Sequence, residues 1–270
     1  MHYDRISPGT SWTDAVYEHT SSPTPYFKSR ISWKGAGWNL DLKDGTRMGF
    51  KDGFGATRPA QAGVTRIQDR YGNAVVLTRN TDADLTRITS PSGRWIELTY
   101  DTSHRVTQAK DNGGRTVGYT YDASGRLWKV TDPASGVTEY TYDTSHRMLT
   151  LKDARSIVFL TNHYDANGRV DLQTQADTTT YQFAYTLDAL GRVERTDVTD
   201  PRGHVQRVTY DPAVGYLLTD IAAFGTSLAR TTTLTRDSAT HLVTRVTDGW
   251  GGTPITPTTR FVTFSFNPRR

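Results

Sequence analysis

An all-β fold, an antiparallel meander of β-hairpins about 21 to 23 residues apart, is what this sequence predicts, and three observations predict it. First, Tyr-Asp or a degenerate equivalent returns at a near-constant interval. From Asn80 through Asp101, Asp122, Asp143, Asp165, Asp188 and Asp211 to Asp237 the steps are 21, 21, 21, 22, 23, 23 and 26 residues. Second, each interval holds two short runs separated by turn clusters, and strands of about 5 to 6 residues with loops of about 2 to 5 fill it almost without remainder. Third, the chain is lean in apolar residues, at 35% hydrophobic and a mean hydropathy of −0.59. Abundant Thr, Tyr and Gly suit a pleated, half-buried surface and its turns.

Taken in chain order, Met1 to Ser32 carries Pro8, Pro23 and Pro25 and is expected to be irregular or edge structure. Trp33 to Phe50 has hairpin chemistry around Lys43-Asp44-Gly45-Thr46, and Val64 to Leu77 has it around Asp69-Arg70-Tyr71-Gly72-Asn73. The repeats proper follow, and the copy from Asp122 to Tyr142 is the cleanest. Its runs Leu127-Trp128-Lys129-Val130-Thr131 and Val137-Thr138-Glu139-Tyr140-Thr141-Tyr142 are divided by Asp132-Pro133-Ala134-Ser135-Gly136. Past Asp248, Gly249 to Gly252, Pro254 and Pro257 are expected to interrupt the meander before a last strand-like stretch at Arg260 to Phe266. The expected organisation is a lead-in at 1–60, a repeat array at 61–248 and a terminal strand and tail at 249–270.

Side chains of a strand alternate between faces. One face of the second strand therefore carries Tyr100, Tyr121, Tyr142, Tyr164, Leu187, Tyr210 and Arg236, with Leu98, Tyr119, Tyr140, Asn162, Tyr185, Val208 and Leu234 two residues upstream. The other face is a threonine stripe interrupted by His163. In the first strand the apolar residues fall at i and i+3, as in Val106 and Ala109, Leu127 and Val130, Met148 and Leu151. Either that strand bulges or both faces are partly covered. The tyrosines are expected to ladder against the tyrosines of neighbouring strands.

Asp111, Asp132, Asp153, Asp177, Asp200 and Asp248 are expected to close first strands by capping turns with their own side chains. His104, His146 and His241 occupy the turn slot that Gly125, Gly168 and Gly191 fill elsewhere, a placement that reads as tolerance of the left-handed region. Arg105, Arg126, Arg147, Arg169 and Arg192 are expected to pair with the Asp of a neighbouring repeat.

Several function classes are disfavoured. The net charge is +4, but the 32 basic residues, all but seven of them Arg, are spread along the repeats among 28 acids. A nucleic-acid binder shows a basic cluster or a recognised motif, so no nucleic-acid partner is expected. Cysteine is absent, which removes disulfides and thiolate metal sites. The histidines lack the spacing of a metal site, and the carboxylates lack the nonapeptide period of a calcium β-roll. No Gly-x-Ser-x-Gly elbow is present. Catalytic residues, metal and cofactor are all expected to be none. No run approaches the length of a membrane-spanning helix, and no signal-peptide core is visible.

The chain resembles the RHS/YD-repeat family. The resemblance is carried by Tyr121-Asp122-Ala123-Ser124-Gly125-Arg126-Leu127, by Asp132-Pro133 with Gly136, and by the return to Tyr142-Asp143. Tyr164-Asp165-Ala166-Asn167-Gly168-Arg169-Val170 and Leu187-Asp188-Ala189-Leu190-Gly191-Arg192-Val193 repeat it, and the lead-in from Tyr26 to Thr46 is similar to the segment preceding the repeats in bacterial polymorphic-toxin members. The repeat-defining positions are Tyr100, Asp101, Tyr121, Asp122, Tyr142, Asp143, Tyr164, Asp165, Tyr210 and Asp211.

The resemblance implies a curved β-strip, part of a hollow shell or spiral that encloses a C-terminal toxin before delivery by a type VI secretion or toxin-complex machine. The implied partners are the remainder of a longer RHS polypeptide or copies of the same chain meeting at open sheet edges, with toxin cargo and secretion machinery. Export by a specialised bacterial route to the outside or to the cell surface is the expected destination. The Asp-Pro pairs at 132, 200 and 211 sit at repeat turns and are read as turns. The alternative function is a cell-surface or carbohydrate-binding module with Tyr119, Tyr140 and Tyr185 as its ligand platform.

Overall fold

The computed structural model describes residues 2–20, 26–238, 243–250 and 260–263, the last as backbone strand only. It is all-β and antiparallel, as the sequence predicts. Residues 1–137 and 138–270 form two compact units.

The first unit runs β1 Asp4–Arg5, β2 Val16–Glu18, β3 Arg30–Trp33, β4 Gly37–Asp41, β5 Arg47–Lys51, a 3-10 turn at Pro59–Ala62, β6 Val64–Gln68, β7 Ala74–Arg79, β8 Leu85–Thr89, β9 Trp95–Tyr100, β10 Val106–Asp111, β11 Thr116–Tyr121 and β12 Leu127–Thr131. Each strand pairs with the next in sequence. The stretch before Ser32 is thus more regular than expected. Val16–Glu18 pairs with both Asp4–Arg5 and Arg30–Trp33, with Pro8 outside the paired segments; Pro23 and Pro25 lie outside the described residues.

The second unit runs β13 Val137–Tyr142, β14 Met148–Lys152, β15 Val158–Tyr164, β16 Val170–Gln175, β17 Thr180–Leu187, β18 Val193–Thr199, β19 Val205–Asp211, β20 Tyr216–Phe224, β21 Arg230–Arg236, β22 Val243–Trp250 and β23 Arg260–Thr263. The order is again sequential. Gly249 and Trp250 continue β22 rather than interrupt it, since they pair with Thr231 and Arg230. Gly251 to Pro257, and Phe264, Ser265 and Phe266 of the expected last strand, lie outside the described residues.

The i, i+3 spacing of the first strands resolves as a bulge. Val106 faces Tyr100 and Ala109 faces Leu98, with Thr107 inserted between the paired residues. Leu127 and Val130 face Tyr121 and Tyr119 around Trp128, and Met148 and Leu151 face Tyr142 and Tyr140 around Leu149. One extra residue reverses the phase of the strand. Apolar residues three apart therefore land on one face, directly opposite the aromatic stripe. At four bulges of this kind the inserted residue is a Thr whose hydroxyl donates to a carbonyl across the ladder, Thr65 to Gly49, Thr86 to Thr78, Thr107 to Thr99 and Thr244 to Thr235, at 3.2 to 3.3 Å.

The register also corrects the expected tyrosine ladder. Each stripe tyrosine meets an aliphatic or Thr residue across the strand, as Tyr121 meets Leu127 and Tyr185 meets Thr196. Among the described residues the ring pairs are Tyr3–His19, Trp12–Trp33, Tyr17–Trp38 and Trp33–Trp38, all ahead of the repeats. Two tyrosines of successive repeats are separated by an intervening strand, about 10 Å of sheet, too far for ring contact.

Little of this fold is core in the usual sense. Among the described residues the fully buried hydrophobics are Ala15, Ala83 and Ala229. The stripe tyrosines are half-buried, whereas Thr99, Thr120, Thr141 and Thr235 of the opposite face are exposed. The stripe's polar member, Asn162, is buried and satisfied, donating to the Met148 carbonyl at 3.0 Å and accepting from Gln173 at 3.0 Å.

Most turns of the array share one shape. At Asp122-Ala123-Ser124-Gly125-Arg126 the Asp122 N–H donates to the Arg126 carbonyl at 2.8 Å and the Gly125 N–H to the Asp122 carbonyl at 2.9 Å. Gly125 has φ +79°, the left-handed position of a type I turn with a bulge. His104 and His146 take that slot with φ 60° and 65°; His241 lies outside the described residues. A Cβ at Gly125 would stand 2.8 Å from the Arg105 guanidinium as well as in a disfavoured backbone region. Gly125→Ala is therefore expected to lower stability by about 1 to 2 kcal/mol, read from its urea midpoint at unchanged m-value.

Candidate functional site

Asp, Arg and Tyr side chains of consecutive repeats come together as a clasp, which takes in Asp101, Asp143, Asp165, Tyr121 and Tyr164 of the repeat-defining set and, in one case, Tyr185. Asp101 Oδ1 accepts the N–H groups of Ser103 at 2.9 Å and Arg105 at 3.0 Å, and Oδ2 accepts Arg105 Nε at 2.8 Å. Asp122, Asp143, Asp165 and Asp188 repeat the arrangement with Arg126, Arg147, Arg169 and Arg192, every contact between 2.7 and 2.9 Å. The spacing follows from chemistry: a short carboxylate at the turn's first position reaches the N–H groups two and four residues on. That leaves its second oxygen for the side chain at the fourth. The arginine thus pairs within its own turn, not with a neighbouring repeat's Asp as expected. The turn brings residue i+4 back beside residue i, closer than any adjacent hairpin.

Held in this way, the guanidinium covers the ring of the next repeat's tyrosine. Arg105 lies 4.5 Å from the Tyr121 centroid, Arg147 4.5 Å from Tyr164 and Arg169 4.9 Å from Tyr185. The hydroxyl of the same tyrosine donates to the carbonyl of the residue just after the arginine: Tyr121 to Val106 at 2.8 Å, Tyr164 to Met148 at 2.6 Å and Tyr185 to Val170 at 2.7 Å. Tyr100 does the same to Leu85 at 2.8 Å. Asp fixes Arg, Arg covers Tyr, and Tyr anchors back to the backbone beside Arg. The contact therefore links consecutive repeats.

The electrostatics agree with that reading. Acceptance of the Arg105 backbone N–H, helped by its side chain, holds the Asp101 carboxyl below its ordinary value. Asp122, Asp143, Asp165 and Asp188 are lowered for the same first cause. Burial pushes Tyr100, Tyr121 and Tyr185 upward, as befits hydroxyls aimed into the sheet.

The remaining candidates divide. Asp69, Asp111, Asp132, Asp153 and Asp200 cap the opposite turns through N–H groups two and four residues on. Asp177 does not open its turn: Gln175 does, and Asp177 instead accepts from Thr179. Asp248 lies inside β22, accepting from Thr232 and Arg230. Asp211 caps Ala213 at 2.9 Å in a turn that closes at Gly215 without an arginine. At the degenerate Asn80, the amide oxygen accepts the Asp84 N–H at 2.9 Å. His104 reaches back to Asp84 of the preceding repeat at 2.9 Å. Of the proposed ligand platform, Tyr185 has its hydroxyl committed to Val170, while Tyr119 and Tyr140 are half-buried.

Among the described residues no group of three or more His, Asp or Glu is placed to hold a metal ion, and no helix is long and apolar enough to cross a membrane. The stacking of Arg on Tyr was not read from the sequence. Its signal was present in the constant Asp, Arg at +4 and Tyr 20 or 21 residues after the Asp.

The family described as RHS Repeat matches residues 100–135 and 121–157, two overlapping copies centred on the regular clasps. No curated protein matches. Among solved structures, TcdB2-TccC3 without its hypervariable C-terminal region is 15% identical with a TM-score of 0.48, over 80% of this chain and 13% of that one. The Photorhabdus luminescens Tc holotoxin pore is 14% identical with a TM-score of 0.39, over 96% and 15%. This chain thus spans a small fraction of the length of those chains. The Tyr-Asp clasps and the matched family agree that the stretch from 100 to 157 is built of RHS/YD repeats.

Proposed function

We propose that the chain is a non-catalytic wall segment, part of a shell that encapsulates a C-terminal toxin or of a self-assembling scaffold, exported by a specialised bacterial route such as type VI secretion. The carrying observation is the clasp. It stabilises a sheet from repeat to repeat where almost no side chain is fully buried, which suits a barrier made of one layer. In this reading the backbone ladder encloses, and the Tyr and Thr faces decide what touches the cargo. The partners are the rest of a longer RHS polypeptide or further copies of the chain, since a terminal strand has unpaired backbone groups that template further pairing.

Electron microscopy of the purified chain is expected to show a closed capsule or a regular polymer. A monodisperse monomer that survives heating would overturn the proposal. The alternative, a carbohydrate-binding surface, draws on Tyr119 and Tyr140, whose hydroxyls have no partner among the described residues. Saturable sugar binding by such monomers, lost in the Tyr119→Ala, Tyr140→Ala double variant, would favour it.

A further inference from the structure

Ahead of the repeats, a cavity of about 660 Å³ opens between the tips of the β4–β5 and β6–β7 hairpins, with Arg30 of β3 beside it. The two tips approach closely: a Cβ on Gly45 would come within 2.8 Å of the Arg70 Cβ. None of the clasp residues lines this cavity, and nothing in the wall-segment reading calls for it.

Its hydrogen-bonding inventory is one-sided. Each carboxylate in the lining already accepts at least one hydrogen bond. Asp69 accepts the N–H groups of Tyr71 and Asn73 at 2.8 and 2.9 Å and the Asn73 amide at 2.8 Å. Asp41 accepts Arg47 Nε at 2.5 Å, and the Gln68 oxygen accepts Arg66 at 3.2 Å. Donors, in contrast, are left over. Arg70 makes no hydrogen bond or ion pair among the described residues, and its guanidinium rests 6.0 Å from the Tyr71 ring centroid. Arg30 and Arg47 spend Nε on Glu18 and Asp41 and keep their terminal nitrogens unpaired. The Gln68 amide nitrogen is also unpaired. Three guanidinium groups thus share the cavity with the carboxylates of Asp41 and Asp69, while Asp44, near enough to Arg70 to feel its charge, is hydrogen-bonded to Thr46; the spare valence is N–H.

We infer that this cavity is a binding site for a small oxyanion-bearing molecule, one carrying a phosphate or carboxylate group. Arg70 is its principal ligand, Arg47 and Arg30 supply further N–H donors, and exposed Tyr71 forms the rim. Guanidinium forks match the paired oxygens of such groups, and charge-assisted hydrogen bonds are the strong ones. An acceptor-rich ligand also satisfies the guanidinium and amide donors that lack partners among the described residues. A neutral apolar ligand would satisfy none of them.

Calorimetric titration of the whole chain with inorganic phosphate and, separately, with citrate at constant ionic strength tests the site. Saturable one-to-one binding is expected with at least one probe, and the probe that binds identifies phosphate or carboxylate as the class. Arg70→Gln is expected to weaken that binding about 10-fold or more, while Arg202→Gln, a turn arginine far along the array, leaves it unchanged. Circular dichroism checks that the Arg70 variant keeps its β-structure. Should it not, Tyr71→Ala, which removes an exposed side chain, is expected to weaken binding in the same direction. Absence of saturable binding at millimolar probe would overturn the inference, as would equal loss in Arg202→Gln or retention in both site variants.

Discussion

Tyr185→Ala is expected to destabilise the second unit by about 3 kcal/mol, whereas Tyr185→Phe costs about 1 kcal/mol. The phenylalanine variant keeps the ring beneath Arg169 and loses only the hydrogen bond to the Val170 carbonyl. That change leaves a part-buried acceptor unpaired, worth about 1 kcal/mol. Truncation to alanine further removes half-buried ring surface and the cation–π contact, the latter about 0.5 to 1 kcal/mol at a partly exposed site. Urea unfolding followed by tyrosine and tryptophan fluorescence measures both. Equal losses for the two substitutions would mean that the hydroxyl alone carries the contact, and two negligible losses would show that the clasp does not join the repeats.

Acid is expected to unfold the array over a narrow range. The carboxyls of Asp101, Asp122, Asp143, Asp165 and Asp188 have folded-state pKa values below the ordinary one, chiefly because each accepts the backbone N–H four residues on. The folded state therefore binds fewer protons than the unfolded state once the pH nears the unfolded value of about 3.9. The stabilisation is fully present above that value and is lost as pH falls through the folded pKa values beneath it. Because the same turn recurs, these losses accumulate in one window. Urea midpoints are expected to be level from pH 7 to about 5 and to fall steeply below about 4. Asp165→Asn, which retains a cap as Asn80 does but has no charge to titrate, is expected to flatten the slope by one carboxylate's share. A midpoint that stays constant down to pH 3 would contradict the turn electrostatics.

Both expectations concern the same physical point, that a one-layer sheet with so few buried hydrophobics must take its stability from local polar devices repeated many times. Surface ion pairs contribute little singly. In the clasp, the pair's value is positional: Asp holds the guanidinium flat so that it can cover a ring 16 or 17 residues further on. A turn with Asp but no arginine, as at Asp211, keeps its cap and lacks the link to the next repeat.

How much of this was legible beforehand varies residue by residue. Asp122 could be read as a turn cap because the N–H groups it meets are two and four residues away, a distance fixed by the local chain alone. Gly125 and His146 at the left-handed position were legible for the same reason. Asp177 and Asp248 were misplaced because an acid at about the right interval looks alike whether it opens a turn, follows one or lies within a strand. The partner of Arg105 was misassigned in the same way. Its contact with Asp101 is local, but preferring it to a neighbouring repeat's acid requires knowing the turn's shape.

The sequence by itself determined the period, the hairpins, the capped turns and the alternation of an aromatic and a threonine stripe, because each follows from turn chemistry and the two-residue repeat of a strand. Only the tertiary structure decided that Val106 and Ala109 share a face, that the tyrosines meet arginines rather than one another, and that their hydroxyls end on backbone carbonyls 15 or 16 residues upstream. Those outcomes depend on the register between strands. One inserted residue in each hairpin reverses which side chains face each other, and the i, i+3 spacing of the strand admits that insertion without choosing it over two half-covered faces.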